Sequence, residues 1–574
     1  MRKIYTLLIG ALLACGNATA QDYTKGVFVL NEDWYGHNNS TLNFWNPIGN
    51  YVDYYIMQLA NNYEYSLGCT AQYGQIYGDR IIVMSKQDRD PGESGAMESG
   101  RITLLDKNSL KAITVKPIIQ TNDANKSIAD GRACLFVNDT KAYIGTSNGI
   151  FIMDLDSYNI DGRIDGTENP LIVGGENNAD GIGPLYNNQM GVMLRTQDYV
   201  FAIKQDKGVL VIDPQKDVVV KTIEGCFSTM VQSKDGNIWT GMNISDSQSY
   251  PYGNNGDDWV GSRLMCIDQY SLETKTVDLK IGGVPQSWYA WTAGTLTAST
   301  TCNHLYFVYT DPSYGQDSWF RNSCLYRYDI DKNECELIYE SEVDGLYFYG
   351  GAIQCNPVDG NIYAALYVGE NIATQNWVYM ILDKDGKEVA SYQPIENYWY
   401  PAMFIFPDNE SPVVEDFDEI IVGETPVEVA LSDKVKDADT PVATIVKRIS
   451  DIGDPSIIKA EVINGNLLVT ALDYGETSID VEFNSNGKKV TKTVEVTSTI
   501  SAIETIDAVE TIVTSIGGEL VIKGISSRQH VAVYNSQGML IKNMTVENDT
   551  VISDLDKGHL YIVRINNLSF KIIL

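Results

Sequence analysis

The chain has 574 residues, 44% hydrophobic and 20% charged, so it can bury a large core and by its length holds several domains. Forty-two basic residues stand against 75 acidic ones, a formal net charge of −33, which argues against nucleic acid and anionic membrane surfaces as partners. Four histidines leave no material for a histidine-rich metal centre, and beyond the first residues no run approaches the about 20 apolar residues of a membrane span.

In chain order, residues 1–20 read as a signal peptide. Arg2 and Lys3 precede an apolar stretch from Tyr5 to Ala14, and Ala18-Thr19-Ala20 forms a small-residue cleavage site before Gln21. Leu12-Leu13-Ala14-Cys15 also fits a lipobox, which would cut before Cys15. Either route exports the chain, to the cell surface or the exterior. Eight cysteines remain after the leader, with no C-x-x-C and no regular framework, and most lie within apolar strands as small hydrophobes. Cys324 and Cys335 flank one expected hairpin and are the pair best placed for a disulfide.

From residue 21 to about 410 the pattern is one of short apolar strands without helical period. A hydrophobic-hydrophobic-Asp turn recurs at Leu104-Leu105-Asp106, Ile152-Met153-Asp154, Val211-Ile212-Asp213, Cys266-Ile267-Asp268 and Ile381-Leu382-Asp383. Arg327-Tyr328-Asp329 is a looser copy, and Phe44-Trp45-Asn46 has Asn for Asp. Successive copies are 48 to 61 residues apart. A second turn, such as Gly78-Asp79 or Val358-Asp359-Gly360, precedes each of the later six. Seven four-stranded units at this spacing predict a seven-bladed β-propeller. The first unit lacks its opening strand, and Met403-Phe404-Ile405-Phe406 can supply it and close the ring.

With strands A to D counted outward from the channel, the short Asp-marked A–B and C–D turns fall on one face. The long B–C and D–A connections fall on the other, and they carry the aromatic residues. The expected ligand-binding residues are Trp34, Tyr35, His37 and Asn38 in the first B–C loop, and Tyr252, Trp259 and Trp319 in later ones. Trp288, Tyr289, Trp291, Tyr398, Trp399 and Tyr400 stand in D–A loops. Amphipathic rings with a polar handle are what binding surfaces use. Glu32, Asp33, Asp257 and Asp258 lie on the same face, where a solvated rim is the expected environment.

Enzyme readings find little support. Gly145-Thr146-Ser147-Asn148-Gly149 matches G-x-S-x-G, but it joins two strands in a tight hairpin rather than a strand to a helix. His37 and His304 fall on opposite faces and cannot share a site. No catalytic residue, cofactor or metal ligand is assigned.

A composition shift at Ser411-Pro412 opens an Ig/cadherin-like β-sandwich over 411–499, with Leu467-Leu468-Val469-Thr470 and Ser478-Ile479-Asp480-Val481-Glu482 as strands. Asp437-Ala438-Asp439 hints at calcium but fits a solvated loop as well. Residues 500–574 form a last small β domain, a second sandwich. Its Val533-Tyr534 strand, Asn535-Ser536-Gln537-Gly538 turn and Lys557-Gly558-His559-Leu560-Tyr561-Ile562-Val563-Arg564 ending resemble the C-terminal sorting domain of type IX secretion cargo. That resemblance implies passage across an outer membrane to the surface.

Val29-Leu30-Asn31-Glu32 and the Tyr77-Gly78-Asp79 turn resemble the YncE-like, quinoprotein-like seven-bladed propellers of exported bacterial proteins. Relatives in that group capture cobalamin at the surface and hand it to a TonB-dependent outer-membrane transporter. The resemblance implies a small-molecule ligand, with a corrinoid as lead candidate. Where those relatives often carry Gly-Asn-Phe after Asn-Glu, this chain has Asp33-Trp34-Tyr35. A glycan- or protein-binding adhesin using the same face is the alternative, and a polysaccharide-cleaving enzyme a third.

Overall fold

The computed structural model describes residues 22–123, 125–170, 172, 188–243, 263–281, 296–309, 322–369, 375–407, 410–500, 511–525, 527–566 and 568–574. The signal-peptide expectation for 1–20 therefore lies outside the described residues.

Seven four-stranded antiparallel sheets follow one another between Val27 and Ile405. Their innermost strands are Pro401–Ile405 (blade 1), Cys69–Tyr77, Gly131–Asn138, Met190–Arg195, Cys226–Gln232, Leu296–Ala298 and Leu346–Cys355 (blade 7). Each innermost strand touches the next and the last touches the first, which closes the ring. Closure runs as the sequence implies: Val27–Asn31 pairs with Pro401–Ile405, Phe28 opposite Ile405 and Leu30 opposite Met403. A ring of this kind leaves only short inner edges, protected around the channel.

Strand composition follows radial position. The second strand of blade 4, Val200–Lys204, is buried at every residue because neighbouring blades cover both of its faces, whereas the outermost strand Val218–Glu224 is mostly exposed. The recurring Asp has one local job. In every blade its Oδ1, or that of Asn46, accepts a backbone amide two to four residues on, as in Ser109 N to Asp106 (2.8 Å), Ser157 N to Asp154 (2.7 Å) and Ser271 N to Asp268 (2.8 Å). These Asx turns shape the C–D hairpins and explain why the repeat is legible. Gly145–Gly149 is the expected hairpin: Ser147 is buried, its hydroxyl accepting the Asp130 amide (2.9 Å).

The next unit packs a four-stranded sheet against a three-stranded one around Val469, Val481, Phe483 and Val496. Asp437 accepts the amides of Asp439 and Thr440, and Asp439 accepts that of Glu410, so this acid pair serves the turn. The last unit joins a three-stranded and a four-stranded sheet around Leu520, Val531, Val533 and Val563. Among the described residues no helix is long and apolar enough to cross a membrane.

The first sandwich is seated on the short-turn face. The Gln197 side chain donates to the Lys447 carbonyl (2.6 Å) and accepts its amide (2.9 Å). Asn484 donates to the Tyr77 hydroxyl (2.8 Å), the Gly78 amide donates to Asn486 O (2.9 Å), and Lys488 pairs with Asp79 (2.9 Å). Gly487 (φ +89°) meets Gly78 so closely that a Cβ there would lie 2.5 Å from the Gly78 nitrogen. A cavity of about 650 Å³ remains between the units, lined by Tyr73, Phe136, Met193 and Arg195 on the propeller and Lys447 and Glu482 on the sandwich.

The disulfide expectation fails: the ladder places Cys324 opposite Glu340 and Cys335 opposite Tyr328, at separate rungs, so the two are not bonded to each other.

Candidate functional site

The strand Val27–Asn31 is apolar and wholly buried until it emerges on the long-loop face, where the chain turns sharply at Asp33 (φ +57°). That left-handed residue is stabilised by its own carboxylate, which accepts from Asn38 Nδ2 (2.9 Å) and Thr41 Oγ1 (2.9 Å). The Glu32 and Asp33 amides donate to the Tyr400 and Trp399 carbonyls (2.9 and 3.2 Å), which ties this loop to the last D–A connection. On the other side the Gly36 amide donates to Asp90 (2.9 Å), and Asn39 Oδ1 accepts the Asp90 amide (2.8 Å). The loop over residues 32–40 is thus stitched to blades 7 and 2.

This stitching holds an aromatic stack at the rim. His37 lies against Tyr398 (4.4 Å between centroids, 23° apart), and Trp34 packs on His37 (4.9 Å), Tyr398 (5.3 Å) and Tyr400 (5.8 Å). Trp34 remains 38% and Tyr35 60% exposed. Rings left partly in solvent on a well-tied loop are available for contact.

Beneath the rim lies a polar floor. Glu32 and Asp33 are buried, which corrects the solvated-rim expectation for these two: the neighbouring loops fold over them. Burial pushes the Glu32 carboxyl up to about 8, although hydrogen bonds from Gln72 and Tyr349 and the charge of Lys86 oppose the shift. Burial likewise raises Asp33 well above the usual carboxylate range. It lowers Lys86 to about 7, with the Arg132 guanidinium adding to the effect. Groups from blades 1, 2, 3 and 7 can interact in this way only by converging toward the channel.

Backbone irregularity directs that convergence. Strand register slips between Ala71 and Tyr73, between Gly131 and Ala133 and between Phe348 and Ile353, so Gln72, Arg132 and Tyr349 sit in bulges near the long-loop end of their innermost strands. Bulges re-aim side chains and concentrate beside functional sites. Arg132 donates to Gln189 and to the Gly131 carbonyl (2.7 Å), while Arg101 bridges Asp88 (2.7 Å) and Asp130 (3.3 Å).

Of the residues expected from sequence, the structure brings Trp34, His37, Asn38 and Tyr398 together, with Tyr35 exposed beside them. Tyr400 is 7% exposed and lies under Trp34, its hydroxyl accepting from Gln375 (3.2 Å). Trp399 is a correction. It is fully buried, stacks on Tyr54 (5.3 Å, 14°) and donates its indole N–H to the Ile395 carbonyl (2.8 Å), so it packs blade 7 against blade 1 and cannot meet a ligand. Tyr252, Trp259, Trp288, Tyr289, Trp291 and Trp319 lie outside the described residues. Gln72, Lys86, Arg132 and Tyr349 went unforeseen. The available signal was a single charged residue within or beside an apolar strand run, as in Val83-Met84-Ser85-Lys86 and Gly131-Arg132-Ala133.

Residues 25–407 match the family described as DUF5074, a domain of unknown function. No curated protein matches the chain. Among solved structures, the chain is similar to a quinonprotein alcohol dehydrogenase-like protein from Bacteroides thetaiotaomicron (16% identity, covering 68% of this chain and 79% of that one, TM-score 0.46). It is also similar to the Cps50 (Swd1) β-propeller domain of Myceliophteria thermophila (10%, 58% and 92%, TM-score 0.36). A third is a hypothetical selenium-binding protein from Sulfolobus tokodaii (10%, 65% and 95%, TM-score 0.40).

Proposed function

The chain belongs to the DUF5074 family through residues 25–407, and on that premise we propose that it is an exported binding protein whose long-loop face captures a bulky, partly apolar small molecule. The observation that carries this reading is the solvent-facing Trp34–His37–Tyr398 stack above a buried floor to which four blades contribute polar groups. A flat ring bearing hydrogen-bonding side arms matches such a surface: the aromatic rim takes the ring face and Asn38 the polar edge, over the buried polar floor. A corrinoid has that shape and remains the lead ligand, with a TonB-dependent outer-membrane transporter as the partner that would receive it. The protein acts by holding and handing on rather than by catalysis.

The test is a calorimetric titration of the full chain with cobalamin, with a set of neutral oligosaccharides in parallel. Saturable one-to-one binding of cobalamin supports the reading. Binding confined to oligosaccharides would replace it with the adhesin reading, and heat from neither would remove the small-molecule assignment.

A further inference from the structure

The short-turn face carries a side-chain cluster that ligand capture at the other end does not use. In blade 6 the A–B turn runs from Ser299 to His304, closed by the Ser299 amide donating to the His304 carbonyl (3.0 Å). The Cys302 thiol lies 3.1 Å from His304 Nδ1, and His304 Nε2 lies 3.4 Å from Asp329 Oδ2. Lys332 anchors that carboxylate through its ammonium (2.8 Å) and its amide (3.0 Å). All three residues open onto a cavity of about 560 Å³, also lined by Lys234, Asp235 and Lys332.

The order nucleophile, base, orienting acid has chemical consequences. A carboxylate only accepts, so Asp329 selects the imidazole tautomer that keeps its proton on Nε2 and leaves the Nδ1 lone pair toward the thiol, with the Tyr306 hydroxyl 3.3 Å away as its second neighbour. Burial lowers His304, with Arg327 and Lys332 adding to the shift and Asp329 opposing it, so the ring is neutral and able to take a proton at neutral pH. Five of the other described thiols differ. Cys69, Cys134 and Cys355 are buried, and burial pushes Cys266 up to about 11 and Cys335 up to about 12, which keeps them protonated and inert.

The surroundings also select a reaction class. Acyl transfer needs amide donors aimed at a developing oxyanion, but the Thr301 and Cys302 amides already donate to Ser299 Oγ (3.3 and 3.4 Å). Exchange at sulfur needs no such donors. We propose that Cys302, His304 and Asp329 form a reactive-thiol site that exchanges with low-molecular-weight disulfides. The Cys302 proton passes to His304 Nδ1, the thiolate attacks one sulfur of the disulfide, and the S–S bond breaks. The departing thiolate takes the proton back from the imidazolium, leaving a mixed disulfide on Cys302 and one free small thiol. The disulfide is the oxidant, so the step balances without a further reagent.

The experiment treats the full native chain with dipyridyl disulfide at about pH 6, where an ordinary thiol is almost entirely protonated. Released thiopyridone is followed by absorbance and the modified cysteine is identified by peptide mass mapping. The proposal expects one fast equivalent per chain, mapped to Cys302 and abolished by Cys302→Ser. It expects His304→Asn to slow the reaction on the order of tenfold at about pH 6 while leaving it near the parent rate at about pH 9, where thiols ionise unaided. A merely structural role for His304 would slow neither rate selectively. The absence of a fast equivalent in the parent, its mapping to another cysteine, or a His304→Asn rate equal to the parent's at both pH values overturns the proposal. The first two results are read on the parent chain and stand even if a variant fails to fold.

Discussion

At the short-turn end, seven Asx-capped C–D hairpins repeat one local solution, and the first sandwich docks beside them on the A–B turns through Tyr77, Gly78, Gln197 and their partners. At the long-loop end no such turn repeats among the described residues. The loop after the strand Val27–Asn31 has its own turn at Asp33, buries two carboxyls and stacks three partly exposed rings. The polar residues at the first end cap turns and gain stability locally. Those at the second end are taken out of water, and burial raises the Glu32 and Asp33 carboxyls. Shifting a titratable group by burial is how binding and reaction sites differ from scaffold.

The contrast between packing and contact aromatics breaks most sharply at two neighbouring indoles. Trp399→Ala should cost about 3–5 kcal/mol of stability in chemical denaturation, because it opens a cavity between blades 7 and 1. Trp34→Ala should change stability by less than about 1 kcal/mol, yet weaken ligand binding about tenfold or more. Equal stability losses for the two would erase the distinction.

Glu32 sharpens the comparison through pH. Its folded value of about 8 lies above the ordinary 4.5, so between these values the folded chain holds a proton that the unfolded chain has lost. Stability therefore falls by a few kcal/mol as pH rises through that window, and Glu32→Gln should flatten the slope in thermal scans.

Lys447 carries the opposite sign at the docking interface. It is 3% exposed, its ammonium donates to the Val442 and Ile445 carbonyls (2.9 and 3.0 Å), and burial lowers it to about 8 from 10.5. Between these values the unfolded chain holds the extra proton, so stability rises with pH by up to about 3 kcal/mol. Lys447→Met should abolish that rise. The smallest effect belongs to Lys488→Ala. Its pair with the exposed Asp79 should contribute less than about 1 kcal/mol and respond to salt.

The sequence made the ring readable because its signals are local: an Asp that caps a hairpin and apolar runs bounded by turns. The closing strand was legible from the missing opening strand of blade 1. The rim was legible in part, since Trp34, His37 and Tyr398 announce themselves as aromatics on long loops, but Trp399 carries the same signal and packs instead. Its stacking on Tyr54 decides that, and Tyr54 comes from elsewhere in the ring. The floor was invisible for a related reason. Glu32, Lys86 and Arg132 are isolated in sequence, and they meet only because bulges and ring closure turn several blades toward one axis. The Cys302–His304–Asp329 cluster was half visible as a Cys-x-His spacing; Asp329 joins it from across the blade through the register His304 to Asp329.

The most direct test of ligand capture at the long-loop face is oxidative footprinting of the full chain with and without cobalamin, read by peptide mass mapping. The account predicts protection of Trp34, Tyr35 and Tyr398, while Tyr474, 68% exposed on the sandwich, oxidises as before. Unchanged oxidation of all three rim residues under saturating cobalamin, or protection confined to the short-turn face, would contradict it.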